Sequence, residues 1–592
     1  MGTDFQRTIL WVFFGMSLFL LWDRWLVHTG KPSMFFGSAP VPQASAPAAP
    51  VAVPPAVPTP APAASTAAIP DATVPAAPTT PAPAAAVPTP APVAAGKSPP
   101  IVIETDVMRA TIDPDGAVLT RVELLTQKVT PEWTRSGVLG MVTGRSSEAG
   151  HPVVLLDVSP QRVYVAQTGV VGADASLPNH RTPFRVVGDA GGPRVLGDGK
   201  DAIDVTLVSE AGGVKVTKTY TFHRGRFDVE LRHEVANVGE TPVAPSLYQQ
   251  ILRDGNKPEG ESALYYTYTG PAVFTDQTKF RKIDFSSVEK GKPDLPAAGT
   301  DGWVGMIQHY FVSAFVPQAG AQREYYARMV DKNLYSIGML QPLGTLAPQA
   351  VTTVQSHLYV GPQDQAALAK LAPGLDLVVD YGWLTFLSKP IYWLLAFLHG
   401  IVGNWGWSIV LLTVIIKAAF YPLSAAGYKS MARMKEVTPR LMKLREQYGD
   451  DKQKLNTAMM ELYKTEKINP LGGCLPIVVQ IPVFIALYWV LLASVEMRNA
   501  PWMLWVRDLA APDSWLILPL LMMATMWIQY KLNPKPPDPV QAKVMMFMPL
   551  IFGVMFFFFP AGLVLYWLTN NILSIAQQWY VNKQIEKAKK PG

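Results

Sequence analysis

Apolar and polar positions follow different periods in different parts of the chain. From residue 101 to about 360, within a domain expected at 101–372, the period is two. Ile203, Val205 and Leu207 alternate with polar neighbours. Val214, Val216, Tyr220 and Phe222 alternate with Lys215, Thr217, Thr219 and Thr221, and Phe227, Val229, Leu231, His233 and Val235 alternate with Asp228, Glu230, Arg232 and Glu234. Such alternation belongs to half-buried antiparallel strands. Turn signals recur between the runs at Asp115-Gly116, Gly212-Gly213 and Asp254-Gly255. A stretch of this length and pattern predicts a large all-β sandwich. His233 falls on the apolar face of its strand and reads as a satisfied core histidine. Trp303 and Tyr265-Tyr266 admit two readings, sandwich core or the lining of a sugar or peptide groove.

After residue 373 the pattern turns helical and far more apolar. Residues 373–403 combine Trp383, Phe386 and Leu387 with Asp376, Asp380 and Lys389, which predicts an amphipathic segment lying at a membrane interface. Its most apolar piece, from Pro390 to Val402, is too short to cross a bilayer alone. Apolar runs near 404–423, 475–494, 514–532, 544–559 and 563–581 each approach the ~20 residues that a ~30 Å hydrocarbon core requires. A further apolar run, Ile9–Trp22, lies between Arg7 and Asp23-Arg24. Bulky Trp22 and Trp25 stand where a signal peptidase needs small side chains, so residues 1–27 read as an uncleaved signal anchor. The expected total is six transmembrane helices.

Loop charge tests that count. Lys429, Arg433, Lys435, Arg440, Lys443 and Arg445 crowd the segment after the span near 404–423, and the tail at 584–592 carries Lys587, Lys589 and Lys590. The loop near Arg498 and Arg507 is poor in basic residues, and Pro560–Gly562 has none. The positive-inside rule places the basic loops and both termini in the cytoplasm. Within the basic segment, residues 425–468, Met431, Met434, Val437, Leu441 and Leu444 form one helical stripe, and Leu455, Met459 and Leu462 a second. Thr438-Pro439 fits a helix restart, with threonine as cap and proline in the first turn. The segment therefore predicts a cytoplasmic helical hairpin. Its Met stripe suits either self-packing or contact with varied apolar partners.

Composition narrows the function. The 592 residues exceed one ordinary domain, and 49% are hydrophobic. A formal charge of +6 on such a chain is no nucleic-acid signature. A single cysteine, Cys474, excludes a disulfide framework, and the eight histidines form no metal-ligand spacing, so no metal or other cofactor is expected. Residues 28–100 form a Pro/Ala-rich linker that holds a disproportionate share of the chain's 54 prolines. This composition favours an extended spacer. Ala91–Ser98 resembles a phosphate loop, but lacks the strand before and the helix after that such a loop requires.

One charge lies inside an apolar run. Lys417 sits within residues 404–423, where an ionisable group costs at least ~2.5–3.5 kcal/mol on insertion scales. Thr413 is four residues earlier on the same face, with Ser408 nearby. Gln480, Gln529, Asn570 and Asn571 add polarity to other spans. Lys417 either snorkels to the cytoplasmic surface or helps to build a hydrated cavity between helices. A protease, a transporter and an insertase or chaperone could each use such a cavity. No nucleophile motif supports the first and no internal repeat the second.

Three stretches resemble the YidC family of membrane-protein insertases: NWGWSIVLLTVIIKAAFYPL at 404–423, KTEKINPLGGCLPIVVQIP at 464–482 and FPAGLVLYWLTNN at 559–571. The resemblance implies a non-enzymatic insertase core at 404–583, with the sandwich at 101–372 periplasmic and the whole chain in the inner membrane. It implies a hydrated client groove bearing Lys417, Thr413, Ser408, Gln480, Tyr566 and Trp567. It also implies client or ribosome contacts on the hairpin through Met431, Arg433, Met434, Lys435, Met459 and Met460. The implied partners are nascent membrane proteins, Sec translocon subunits, the ribosome and the lipid bilayer, with no small-molecule substrate. The family usually carries arginine at the position of Lys417 and tyrosine at that of Trp567.

Overall fold

The computed structural model describes residues 99–129, 150–174, 176–188, 192–258, 267–448, 451–466, 475–533 and 539–589. The expected signal anchor, the Pro/Ala-rich linker, Tyr265-Tyr266 and Cys474 lie outside the described residues. The chain divides into two compact units, one ending at Val379 and the other taking up at Asp380.

The first unit contains a ten-stranded and a nine-stranded sheet. The pairing is antiparallel throughout except where Ile103 and Glu104 run parallel to Arg194 and Val195. The strand Val214–His223 illustrates how the alternation becomes structure. It pairs with Ala202–Ala211 on one side and Asp228–Asn237 on the other. Its odd-and-even pattern places Val214, Val216, Tyr220 and Phe222 in the core and leaves the threonines half-exposed. Gly212 and Gly213, at φ 58° and 72°, make the tight turn before it. That left-handed backbone suits glycine because it has no Cβ to clash. In the other sheet the strand Ser246–Asp254 is buried at every position, since both its faces are covered.

Two basic side chains also face the sandwich interior. Lys218 occupies an inward position of Val214–His223 and is fully buried. Its Nζ donates to the backbone oxygens of Gly116 at 2.7 Å, in a turn of the opposite sheet, and Thr168 at 2.8 Å, in one of its strands. It also lies 4.5 Å from the centroid of the Phe184 ring. Directly opposite on the neighbouring strand, His233 is buried, with Nε2 2.9 Å from the Thr168 hydroxyl. Burial, aided by the Lys218 charge, pushes His233 down to about 3. The histidine is thus a neutral core group. Trp303 is fully buried as well, stacked on Phe274 with Nε1 donating to Pro373 O at 3.2 Å. It therefore does not line an open groove, because both ring and N–H are already taken up by the core.

The unit after Asp380 is helical. Its helices are α1 (Thr385–Val402), α2 (Trp405–Ala419), α3 (Tyr421–Tyr448), α4 (Lys452–Thr465), α5 (Leu475–Ala493), α6 (Ile517–Leu532), α7 (Pro539–Phe556) and α8 (Ala561–Lys589). Three elements differ from the sequence expectation. The apolar piece before Gly403 is not confined to Pro390–Val402, because the helix already begins at Thr385 and tolerates Pro390 early in its course. Counted from Gly382, this segment of 21 residues is long and apolar enough to cross a membrane. The run at 404–423 is not one straight helix. α2 stops at Ala419, and α3 leaves at 67°. Pro422 cannot donate to the preceding turn and its ring crowds it, which accounts for a break at this point. Thr438 is not a cap, since α3 runs unbroken through Pro439 and the Thr438 hydroxyl donates back to Met434 O at 2.9 Å.

By length and composition, α2 with α3 passes the same membrane-crossing test only when the bent pair is taken together, while α6 and the described parts of α5 and α7 are shorter apolar helices. Asn404 caps α2, its side chain accepting from Trp407 N at 3.1 Å.

Burial pushes the Lys218 amine down to about 7. The unfolded chain should then bind more protons than the folded one between about pH 7 and the ordinary lysine value near 10.4. Stability of the β unit in the full-length protein is expected to rise with pH across this window, as measured by denaturant midpoints. The Lys218→Met variant should flatten that slope. An unchanged slope in the variant would assign the pH dependence to other groups.

Candidate client groove

α8 supplies the spine of the site. Tyr566, Asn570 and Ser574 recur every four residues, so they stand above one another on one helix face. Two other helices bring polar side chains to this face. From α2, the buried Lys417 donates through Nζ to Ser574 Oγ at 2.7 Å. From α5, Gln480 Nε2 donates to Asn570 Oδ1 at 3.0 Å. The Tyr566 hydroxyl lies near the Gln480 amide. The Ser574 hydroxyl in turn donates to Asn570 O, one turn back, at 2.7 Å. The result is a continuous polar ladder between α2, α5 and α8, surrounded by apolar side chains. Among the described residues no carboxylate pairs with Lys417, and Ser574 is its hydrogen-bond partner.

Not every expected groove residue joins the ladder. Ser408 and Thr413 are buried on α2, but their hydroxyls donate to Asn404 O at 2.8 Å and Ile409 O at 2.6 Å in their own helix. Such back-bonding uses the single proton of each hydroxyl locally, and among the described residues no donor from another helix reaches either oxygen. Trp567 shares the Phe484 ring with Tyr566 but makes no hydrogen bond to the ladder among the described residues. Its ring packs against Phe484 at 4.7 Å and Phe556 at 5.0 Å, and its Nε1 has no protein partner among the described residues.

A second polar seam lies on the adjoining face of α8. Gln529 of α6 donates to Gln578 Oε1 at 2.5 Å, Gln578 donates to Asn533 Oδ1 at 3.2 Å, and Asn571 donates to Thr525 Oγ1 at 3.4 Å. Sequence reasoning missed Ser574 and Gln578. The available signal was the four-residue repeat of polar groups through Tyr566, Asn570, Ser574 and Gln578 on an otherwise apolar helix.

The segment between α5 and α6 docks onto the first turns of both α2 and α8. Asn404 Nδ2 donates to Pro501 O at 3.0 Å and Trp502 O at 3.1 Å. Gly406 lies against the Trp502 ring so closely that a Cβ there would approach Cδ1 to 2.3 Å. At the start of α8, Ala561 N donates to Ala511 O at 2.7 Å and Gly562 N to Leu509 O at 2.9 Å. These N–H groups have no intrahelical acceptor, so the loop carbonyls meet an otherwise unmet need. This contact explains why a proline, a small residue and a glycine occur together at Pro560–Gly562.

On the hairpin, α3 and α4 are joined by an ion pair between Arg440 and Glu466. Val437 and Leu441 are buried, and Met431, Met434 and Met459 are half-buried. Met460, at 60% exposure, Arg433 and Lys435 face outward. The methionine stripe is thus divided between self-packing and exposure.

Residues 100–394 match the family described as YidC periplasmic domain, and residues 397–589 match that described as 60Kd inner membrane protein. The Membrane protein insertase YidC of Bordetella parapertussis is 55% identical over 99% of this chain and 98% of its own length. The corresponding protein of Cupriavidus necator is 52% identical over 99% of each chain. A crystal structure of an active YidC insertase with its first transmembrane domain resolved aligns with 82% of this chain and 95% of its own, at 18% identity and a TM-score of 0.37. Family matches across both units, together with relatives of this identity over nearly the full length, establish that the chain belongs to the YidC family of membrane protein insertases.

Proposed function

We infer that the polar ladder between α2, α5 and α8 is the client groove of a membrane-protein insertase. It accepts the hydrophilic part of a nascent polypeptide and releases the attached transmembrane helix into the inner membrane. The observation that carries this reading is Lys417: a buried cation on an apolar helix, hydrogen-bonded to one hydroxyl and lacking a counter-charge among the described residues. An ion held so is costly unless something repays its desolvation. An acidic client segment would supply the missing charge. Gln480, Asn570 and Tyr566 would lower the penalty for the polar backbone that follows it. The drive is burial of the client's apolar helix in lipid, helped by the membrane potential on acidic segments, and no nucleotide is needed.

The reading includes a topology of six spans with both termini cytoplasmic. The N-terminal anchor, the α2–α3 bend and α5 to α8 supply these spans. α1 is assigned to the interface despite its sufficient length. Trp383, Phe386, Trp393, Phe397 and Ile401 are exposed on one face, while Ser388, Ile391, Leu395 and Leu398 are buried on the other. A helix packed on one side and aromatic on the other suits the headgroup boundary. The docked segment between α5 and α6 closes the periplasmic end. The hairpin faces the cytoplasm, where Met460, Arg433 and Lys435 are placed for contact with clients or the ribosome. Sec translocon subunits are assigned as partners for clients with large translocated domains.

Replacing Lys417 with glutamate should abolish insertion of single-span clients with acidic tails, as read by protease protection in proteoliposomes, whereas Lys417→Arg should support it. Normal insertion by the glutamate variant would remove charge attraction from the mechanism. Deletion of residues 431–467 should leave the protein in the membrane, judged by carbonate extraction, while blocking insertion. A deletion protein that inserts clients at the ordinary rate would leave the hairpin with packing alone.

A further inference from the structure

Lysine is a compact charge on a flexible stem, so by itself it does not fix where its three N–H groups point. In this structure the Lys417 ammonium is fixed from outside. Ser574 Oγ has one proton, which goes to Asn570 O at 2.7 Å. The oxygen therefore receives Lys417 Nζ, at 2.7 Å, on a lone pair. The serine thus ties the end of α2 to α8. Its own direction is set by the helix turn below it. Of the three ammonium donors one is used, and two are left without a protein acceptor among the described residues.

We propose that Ser574 is the positioning residue for the client-recognising charge: it holds the Lys417 ammonium against α8 with two donors directed at the acidic group of an arriving client. The proposal rests on the groove reading above and assigns Ser574 a role in client selection. Without the hydroxyl the charge remains but its direction does not. The loss then falls on clients that need a carboxylate met at a defined place. Clients with neutral tails, which gain nothing from the ammonium, are spared. Arginine at position 417 would depend less on Ser574, because its planar fork carries five donors in fixed geometry.

The test uses the full-length protein in proteoliposomes with two single-span clients, one with an acidic tail and one with the same tail carrying glutamine in place of each acid. Ser574→Val and Ser574→Thr have nearly the same shape and differ in the hydroxyl. The valine variant should slow the acidic-tail client at least about tenfold more than the neutral-tail client, the loss expected for one charge-assisted hydrogen bond. The threonine variant should restore the acidic-tail rate. Combined with Lys417→Arg, the valine penalty should fall below about twofold. Equal losses for the two clients, equal rates for valine and threonine, or an undiminished penalty beside arginine would each overturn the positioning role. Insertion of the acidic-tail client by Lys417→Glu would instead overturn the groove reading, a separate result from any obtained at Ser574.

Discussion

The helical unit is arranged around one uncompensated charge. Lys417 is buried on an apolar helix, and an ammonium so placed needs acceptors close by. α8 provides them in the form most available to a helix, polar side chains at four-residue steps. The ladder from Ser574 through Asn570 to Gln480 requires α2 and α5 to pack against the same face of α8. The adjoining face of α8 is given over to a different task. There Gln529, Gln578 and Asn533 join α6 to α8 through a chain of side-chain amides. One helix thus carries an amide seam on one face and, on the next, a ladder that ends on a cation.

The ends of these helices are held by short-range steric and hydrogen-bonding demands. Gly406 admits the Trp502 ring, and Gly562 admits a backbone carbonyl of Leu509. Either contact would be crowded by a Cβ. At the other end of α2 the break before Pro422 turns the chain by 67°, and the Tyr421 carbonyl accepts from Gln577 Nε2 of α8 at 3.3 Å. The bend therefore does more than terminate a helix. It sets the start of α3 against α8.

The β unit contains a second buried lysine, and the contrast is instructive. Lys218 has two backbone carbonyls and an aromatic face around its amine. Burial lowers its proton affinity, and the group works as a pin between two sheets. Nothing about it calls for a ligand. Lys417 has a single hydroxyl as its hydrogen-bond partner among the described residues. The two buried lysines thus differ in how far the fold itself meets their donors.

Much of this was legible in the residues themselves. Period-two alternation identified the strands around Val214–His223, and the excess of apolar residues after 404 identified a helical membrane core. Both are local consequences of how side chains project from a backbone. Lys417 stood out because a charge in an apolar run is conspicuous without any knowledge of its neighbours. Tertiary structure decided what each polar group does. Ser408 and Thr413 share the helix of Lys417, yet their hydroxyls turn back on that helix. Ser574 is 157 residues away in sequence and is the group that Lys417 meets. Lys218 was hidden among threonines, and Trp303, more readily read as core than as groove, was decided by Phe274 and the Pro373 carbonyl packed against it. Periodicity reports which face of an element is apolar. It carries no information on which other element will cover that face, and hydrogen-bond partners depend on that long-range choice.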